Sequence, residues 1–161
     1  NHVFNQLGEI WGPFMVDRFA THYNSNFWNP STDGVNAFNF DWQGENHWQV
    51  PPPCTIAQVI IHMEKCKAQG TLIIPMWRSA SFWPLICSDG VHLSQFVWDW
   101  RILPDTPGIV HEGKYNNGVF TTHKLKFRML ALSINYKPPP GRMIRGFCTN
   151  NSGRCPKCLK Q

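Results

Sequence analysis

The sequence predicts an α/β fold, a mostly parallel sheet with helices on its faces. Three short hydrophobic runs lead to this prediction: residues 14–16 end at Asp17, residues 47–50 end at three prolines, and residues 71–74 end at Pro75. A helical pattern separates the second run from the third, and strand, helix and strand within about 30 residues form a βαβ unit. Because ligands of open α/β sheets bind outside the carboxyl ends of the strands, these run ends mark a candidate site.

Length and composition fit one globular domain. With 161 residues, of which 42% are hydrophobic, the chain can bury a sizeable core but cannot hold two ordinary domains. No apolar stretch approaches the roughly 20 residues of a membrane-spanning helix, so no membrane partner is predicted. The sequence starts at Asn1 without a secretory signal pattern, and we expect a piece of a longer, intracellular protein.

The first elements follow from apolar spacing and from helix-breaking residues. Residues 2–11 have apolar side chains at helical spacing and precede Gly12 and Pro13, so they predict a helix that stops there. The run 14–16 predicts the first strand. Residues 21–46 are rich in Asn, Ser, Gly and aromatic residues, which predicts a long ordered loop with a functional role.

The βαβ unit has the clearest pattern. Residues 47–50 predict the second strand, which the following prolines end. Thr55 is the predicted N-cap of a helix whose apolar residues recur every three or four positions, and Gly70 is its predicted end. The run 72–74 is apolar without alternation, as expected of a strand that is covered on both faces.

Three less regular elements follow. Residues 79–86 predict a short helix limited by Pro84, and residues 96–103 predict a strand that ends at Pro104. Residues 125–134 are compatible with a strand or a helix, and we favour a strand.

Basic residues are concentrated in the last third of the chain. The net charge is +5, but no acidic residue follows Glu112, whereas ten Lys and Arg residues do. We therefore expect a folded domain over residues 1–137 and a basic, Cys-containing tail over residues 138–161. Such a basic block commonly binds nucleic acid, although a solvated tail has the same composition.

The six cysteines fall into two groups. Three lie within or beside apolar segments and are predicted to be buried free thiols: Cys54, Cys66 and Cys87. In the tail, Cys155 and Cys158 have the spacing of a metal knuckle, and Cys148 could supply a third thiolate to a tetrahedral zinc ion. The fourth ligand is missing from this segment, so reduced thiols or a disulfide are the alternatives.

Several short motifs appear in order over residues 3–103: Trp11-Gly12-Pro13-Phe14, Val16-Asp17-Arg18-Phe19-Ala20, Asp41-Trp42, and Gly70 to Trp77 followed by Phe82-Trp83. With the strand that runs into Pro-Pro, they resemble a region of DIRS-type retrotransposon polyproteins. That region follows the reverse transcriptase and RNase H and looks like a phage-type Dam N6-adenine methyltransferase, which implies a Rossmann-like sheet. The resemblance implies that Asp17 and Asn24 lie at an S-adenosylmethionine site. From its residue type alone, Asp17 could equally cap a turn or pair with Arg18.

The loop that would carry catalysis departs from the methyltransferase pattern. The resemblance assigns it to Val50, Pro51, Pro52 and Pro53, whereas active enzymes have Asn or Asp first and an aromatic residue last. That first side chain accepts hydrogen bonds from the amine of the target base, and the ring stacks on the extruded base. Loss of such an acceptor costs on the order of several kcal/mol in the transition state, so we expect a catalytically silent domain.

The leading hypothesis is therefore a retroelement-derived, inactive methyltransferase-like domain that binds nucleic acid or scaffolds neighbouring polyprotein domains or host proteins. Its phosphate contacts are predicted from basic side chains of the last third: Lys124, Lys126, Arg128, Arg142 and Arg145. Exposed rings such as Trp28 or Trp42 could stack on bases, although most tryptophans are expected in the core.

Two alternatives stay open: an active S-adenosylmethionine-dependent DNA N6-adenine methyltransferase that uses Gln49 near the amine, and a zinc-stabilised protein-interaction module. RNase H chemistry is not favoured, because it needs clustered carboxylates and the acids here are scattered.

Overall fold

A computed structural model describes residues 2–19, 36–105 and 125–137 of the chain. The helices in these ranges are α1 (His2–Trp11), α2 (Ile56–Cys66) and α3 (Trp83–Ile86), with short 3-10 helices at Ala37–Asn39 and Pro53–Thr55. The strands are β1 (Val16–Asp17), β2 (Asn46–Gln49), β3 (Gln69–Pro75), β4 (Val97–Ile102) and β5 (Met129–Asn135). The predicted α/β fold is confirmed.

The five strands form one mixed sheet in the order β1-β2-β3-β5-β4. The pairs β1–β2 and β2–β3 are parallel, as the βαβ unit requires, whereas β5 is antiparallel to both β3 and β4. Within the described ranges, β4 therefore runs in the same direction as β1, β2 and β3, and only β5 is reversed. Four of the five described strands thus run in the same direction, as a mostly parallel sheet predicts. Two of the four pairs of neighbouring strands are nevertheless antiparallel, because β5 lies between β3 and β4.

Apolar side chains cover both faces of the sheet and form two separate cores. The α2-side core lies between the sheet and α2 and α3, and it includes Trp42, Met63 and Leu72. The α1-side core lies under α1 and includes Leu7, Trp48 and Ile73. Consecutive residues of β3 alternate between the two cores, because side chains along a strand point to opposite faces. The apolar run without alternation is thus confirmed as a strand that is buried on both sides.

Helix α2 ends earlier than the sequence predicts. Lys67 follows the last helical residue in the left-handed conformation, with φ of 52°, and its N–H donates to carbonyls of the last helical turn. The prediction that Gly70 ends the helix is wrong, since Gly70 lies inside β3 opposite His47. A β-carbon at Gly70 would lie 2.5 Å from the backbone oxygen of His47, so glycine is required here by the close approach of β2.

Helix α2 starts where the sequence predicts, with Thr55 at the N-cap position. Its side chain makes no cap hydrogen bond, however, and Oγ1 instead donates to the carbonyl of Pro52 (2.9 Å). Cys54 lies in the same 3-10 turn and is exposed, so the prediction that it is buried is wrong, whereas Cys87 is buried and Cys66 is partly buried. The turn comes before the periodic part of the helix, and its side chains therefore do not share the apolar face.

The later elements are predicted correctly. Residues 129–135 form a strand rather than a helix, and Pro84 lies in the first turn of α3, where its missing N–H costs nothing. The boundary between the folded domain and the basic tail stays a prediction, because residues 138–161 lie outside the described residues.

We expect Gly70→Ala to lower the free energy of unfolding by about 2 kcal/mol or more, because the added methyl group forces β2 and β3 apart. Gly8→Ala is the matched control. Gly8 lies within α1, its nearest neighbour to an added β-carbon is 3.8 Å away, and alanine should stabilise the helix by about 0.5–1 kcal/mol. Urea unfolding followed by circular dichroism measures both changes; a Gly70→Ala protein as stable as the wild type would contradict the close approach.

Candidate functional site

The carboxyl ends of the parallel strands meet along one edge of the sheet, which we call the carboxyl edge. Asp17 ends β1, Gln49 ends β2, and Pro75 ends β3. Because β5 is reversed, its first residue, Met129, lies opposite Pro75, and the segment that leads into β5 reaches the same edge. The structure therefore adds residues 125–128, which the sequence alone did not place there, to the predicted site.

Asp17 and Gln49 lie on opposite faces of the sheet at this edge. Asp17 is in register with Trp48, which contributes to the α1-side core, whereas Gln49 is in register with Leu72 of the α2-side core. Asp17 is only 4% exposed. The second residue predicted for the cofactor site, Asn24, lies outside the described residues.

A buried polar network, which the sequence analysis missed, begins at the residue after Asp17. Arg18 is only 7% exposed; its Nε donates to His47 Nδ1 (3.2 Å), and its Nη2 forms a salt bridge with Glu45. Since Nδ1 accepts, His47 is the neutral tautomer protonated at Nε2, and this N–H donates to the carbonyl of Trp42 (2.7 Å). The network joins β1, β2 and the segment before β2.

Burial keeps His47 uncharged. The pKa of His47 is lowered to about 4: loss of hydration is the main cause, the hydrogen bond to the carbonyl of Trp42 acts in the opposite direction, and the positive charge of Arg18 adds to the lowering. The sequence contained a signal for this arrangement: His47 and Gln49 flank Trp48 on a short buried strand. Two polar residues on one face of such a strand need partners inside the protein.

Aromatic rings surround the guanidinium group of Arg18. Its Cζ lies 5.7 Å from the ring centroid of Phe40 and 5.8 Å from that of Trp42. Trp42 is fully buried, and its indole N–H donates to the carbonyl of Ala37 (2.9 Å). The prediction that Trp42 is an exposed ring for base stacking is therefore wrong, and Trp28 lies outside the described residues.

The four-residue loop after β2 offers no side-chain acceptor. Val50 is 44% exposed, Pro51 is buried, and Pro53 opens the 3-10 turn before α2. The carbonyl of Pro52 already accepts the backbone N–H and the hydroxyl of Thr55.

Gln49 carries a buried amide that no described residue satisfies. The side chain is fully buried, and neither Nε2 nor Oε1 has a hydrogen-bond partner among the residues that the structure describes. The hydroxyl of Thr71, on the opposite face, shares this condition. A buried unsatisfied polar group costs about 1–3 kcal/mol, so we expect this amide to lower the stability of the free protein.

Basic and aromatic side chains occupy the part of the carboxyl edge formed by β3 and β5. Lys126 and Arg128 are exposed, and the carbonyl of Arg128 accepts the N–H of Met76 (2.8 Å). The ring centroids of Trp77 and Phe127 are 5.0 Å apart. Two of the five predicted phosphate-binding residues are thus placed at the candidate site, whereas Lys124, Arg142 and Arg145 lie outside the described residues.

The structure leaves the predicted zinc knuckle undescribed. Cys148, Cys155 and Cys158 fall outside the described ranges. Within those ranges there is no cluster of three or more His, Cys, Asp or Glu residues that could hold a metal ion. None of the helices in the described part of the chain has the length and apolar character needed to cross a membrane.

We expect the free energy of unfolding to fall as the pH is lowered from about 6.5 to about 4. His47 binds a proton in the unfolded chain below its ordinary pKa of about 6.5, but in the folded protein only below about 4, so acid favours unfolding in this window. The loss should be on the order of 3 kcal/mol in total. In the variant His47→Gln, whose amide can both accept from Arg18 and donate to Trp42, urea unfolding should show a much shallower dependence on pH. An unchanged slope in this variant would rule out His47 as its source.

Replacing Gln49 by methionine should raise the free energy of unfolding by about 1–2 kcal/mol, because a side chain of similar shape then removes an unpaired amide from the core. Gln58→Met, at an exposed position of α2, is the control and should change stability by less than about 0.5 kcal/mol. Urea unfolding of the free protein measures both. A destabilised Gln49→Met protein would show that the amide has a partner within the chain.

Comparisons with other proteins do not identify the chain: no protein-family model matches it, and no curated protein or solved structure is detectably similar to it.

Proposed function

We propose that the protein is a catalytically inactive, methyltransferase-like domain of a retroelement polyprotein that binds nucleic acid at the carboxyl edge of its sheet. The observation that carries the proposal is the position of Lys126 and Arg128. Both side chains are exposed, and the reversal of β5 places them at the edge where ligands of α/β sheets bind.

The charge at this edge is of one sign over two neighbouring segments. Residues 76–78 contribute Arg78, and residues 125–129 contribute Lys126 and Arg128, with no acidic residue in either segment. The backbone hydrogen bond from Met76 to Arg128 holds the two segments side by side. Clustered cations displace counterions from a phosphate backbone when it binds, and this supplies affinity without sequence specificity.

The loop after β2 supports the absence of catalysis. An amine becomes a methyl acceptor more readily when an acceptor group polarises it in the transition state, and Val50 has no such group. The prolines that follow fix the backbone but add no side-chain chemistry. The outline of a methyltransferase site and the loss of its reactive groups together favour a binding role.

A second candidate is an active S-adenosylmethionine-dependent DNA N6-adenine methyltransferase. The amide of Gln49, which has no partner among the residues that the structure describes, favours it, because its donor and acceptor match the edge of an adenine base that displaces the side chains covering it. Calorimetry with S-adenosylmethionine tests the cofactor, and methyl transfer to adenine-containing DNA tests the reaction. Cofactor binding and turnover that are lost in Gln49→Met would establish this candidate, whereas no binding at millimolar cofactor would eliminate it.

Removal of two charges at the carboxyl edge should weaken nucleic-acid binding. We expect the double variant Lys126→Gln with Arg128→Gln to lose affinity for oligonucleotides. The slope of log K against log salt should become shallower by about 0.7–0.9 for each phosphate that the variant no longer neutralises. Fluorescence anisotropy at several salt concentrations provides the measurement.

The matched control removes two charges from the opposite edge. Lys65, at the end of α2, and Lys137, after β5, are both exposed, and the double variant Lys65→Gln with Lys137→Gln has the same net charge as the test variant. It should retain most of the affinity and slope. Equal losses in the two double variants would mean that net charge rather than the carboxyl edge drives binding, and binding that does not depend on salt would refute the proposal.

A further inference from the structure

Trp77 and Phe127 form an aromatic pair where β3 and β5 reach the carboxyl edge. Their ring centroids are 5.0 Å apart and their planes cross at 73°, an edge-to-face contact. Both side chains are partly buried, so each keeps some exposed surface. The proposed function needs only charge at this edge and leaves these rings unexplained.

The two rings come from opposite sides of the sheet. Trp77 packs against the α2-side core and Phe127 against the α1-side core, so the pair spans the end of the sheet. The ladder between β3 and β5 continues by one hydrogen bond beyond its last register pair, from Met76 N–H to the carbonyl of Arg128. Each ring therefore belongs to a residue next to this hydrogen bond: Trp77 follows Met76, and Phe127 precedes Arg128.

The backbone around Trp77 is fixed before any ligand arrives. The N–H of Trp77 donates to the carbonyl of Pro75 (2.9 Å), and the carbonyl of Trp77 accepts the N–H of Ala80 (3.1 Å). Because the backbone of this turn is already ordered, binding a ligand at Trp77 costs little backbone conformational entropy, and this favours affinity.

We propose that the Trp77–Phe127 pair is a stacking platform for unpaired bases, and that the nucleic acid bound at the carboxyl edge is single-stranded. This inference rests on the proposed function and specifies its ligand. Single-strand binding sites combine a cationic groove for the phosphates with aromatic rings on which successive bases stack. Here the cations Arg78, Lys126 and Arg128 adjoin the rings in sequence.

The charge around the rings argues against an apolar protein partner. The cores of protein–protein interfaces are depleted of charged residues, whereas each ring here has a cationic neighbour in the chain. A duplex would use the cations but not the rings, because its bases are already stacked on one another. Single strands alone offer both phosphates and free base faces.

The test compares a single-stranded oligonucleotide with a duplex of the same sequence. Trp77→Leu should weaken binding of the single strand about tenfold or more and change duplex binding less than twofold, because stacking of one base on a ring contributes on the order of tenfold in affinity. Trp77→Phe keeps a ring and should retain most of the affinity. Phe127→Leu should show the same selectivity as Trp77→Leu.

Two controls separate stacking from folding. Trp98→Leu alters a partly buried tryptophan within β4, away from the pair, and should leave single-strand affinity within about twofold of the wild type. Urea unfolding of each variant confirms that it is folded under the binding conditions. Quenching of tryptophan fluorescence by the single strand should decrease in Trp77→Phe, a change that a purely structural role would not produce.

Each outcome decides one of the two proposals. If Trp77→Leu binds single strands as well as the wild type does, while the Lys126→Gln with Arg128→Gln protein binds more weakly, the stacking platform is refuted and the proposed function stands. If the wild type binds neither single strands nor duplex at low salt, both are refuted. Stronger binding of an acidic polypeptide such as polyglutamate than of the single strand would also overturn the platform.

Discussion

The reversed position of β5 is the constraint on which the site depends. All seven residues of β5 pair with β3, and the other side of β5 pairs with β4, so this strand holds the second half of the chain against the first. Strands β1 to β3 bring Asp17, Gln49, the apolar loop and, in the segment after β3, Arg78 to the carboxyl edge. A β5 that ran parallel to β3 would place Lys126 and Arg128 at the far edge, and only Arg78 of the three cations would remain.

Much of the fold could be predicted because it depends on periodicity and on chain breakers. Helix α1, the strand before the prolines, helix α2 and the buried strand β3 all follow from the spacing of apolar residues. Strand direction and register do not follow in this way, because alternation looks the same in both directions. The placement of residues 125–128 at the candidate site therefore had to come from the structure.

The incorrect predictions have local physical causes. The position of Gly70 after a helical pattern predicts a helix stop, but its lack of a side chain serves the close approach of β2 and β3, while Lys67 takes up the left-handed conformation that ends α2. The loop around Trp42 predicts an exposed ring, yet its indole is buried beside Arg18. In both cases a tertiary contact determines the role of the residue, and the neighbouring sequence does not reveal it. The same holds for Arg18 and His47, whose partners Glu45 and Trp42 are set by the fold.

The three prolines after β2 also make the two ends of the carboxyl edge chemically different. Pro51, Pro52 and Pro53 have no N–H groups, and the carbonyls of Pro52 and Pro53 already accept hydrogen bonds from Thr55 and Ile56, so these three residues offer no backbone donor to a phosphate. The opposite part of the edge, formed by β3 and β5, carries the cations. In the proposed complex with nucleic acid, the phosphates would therefore find cations beside β3 and β5 and no backbone donors in the three prolines beside β2. The proposed strand would follow a track on one side of the midline of the sheet.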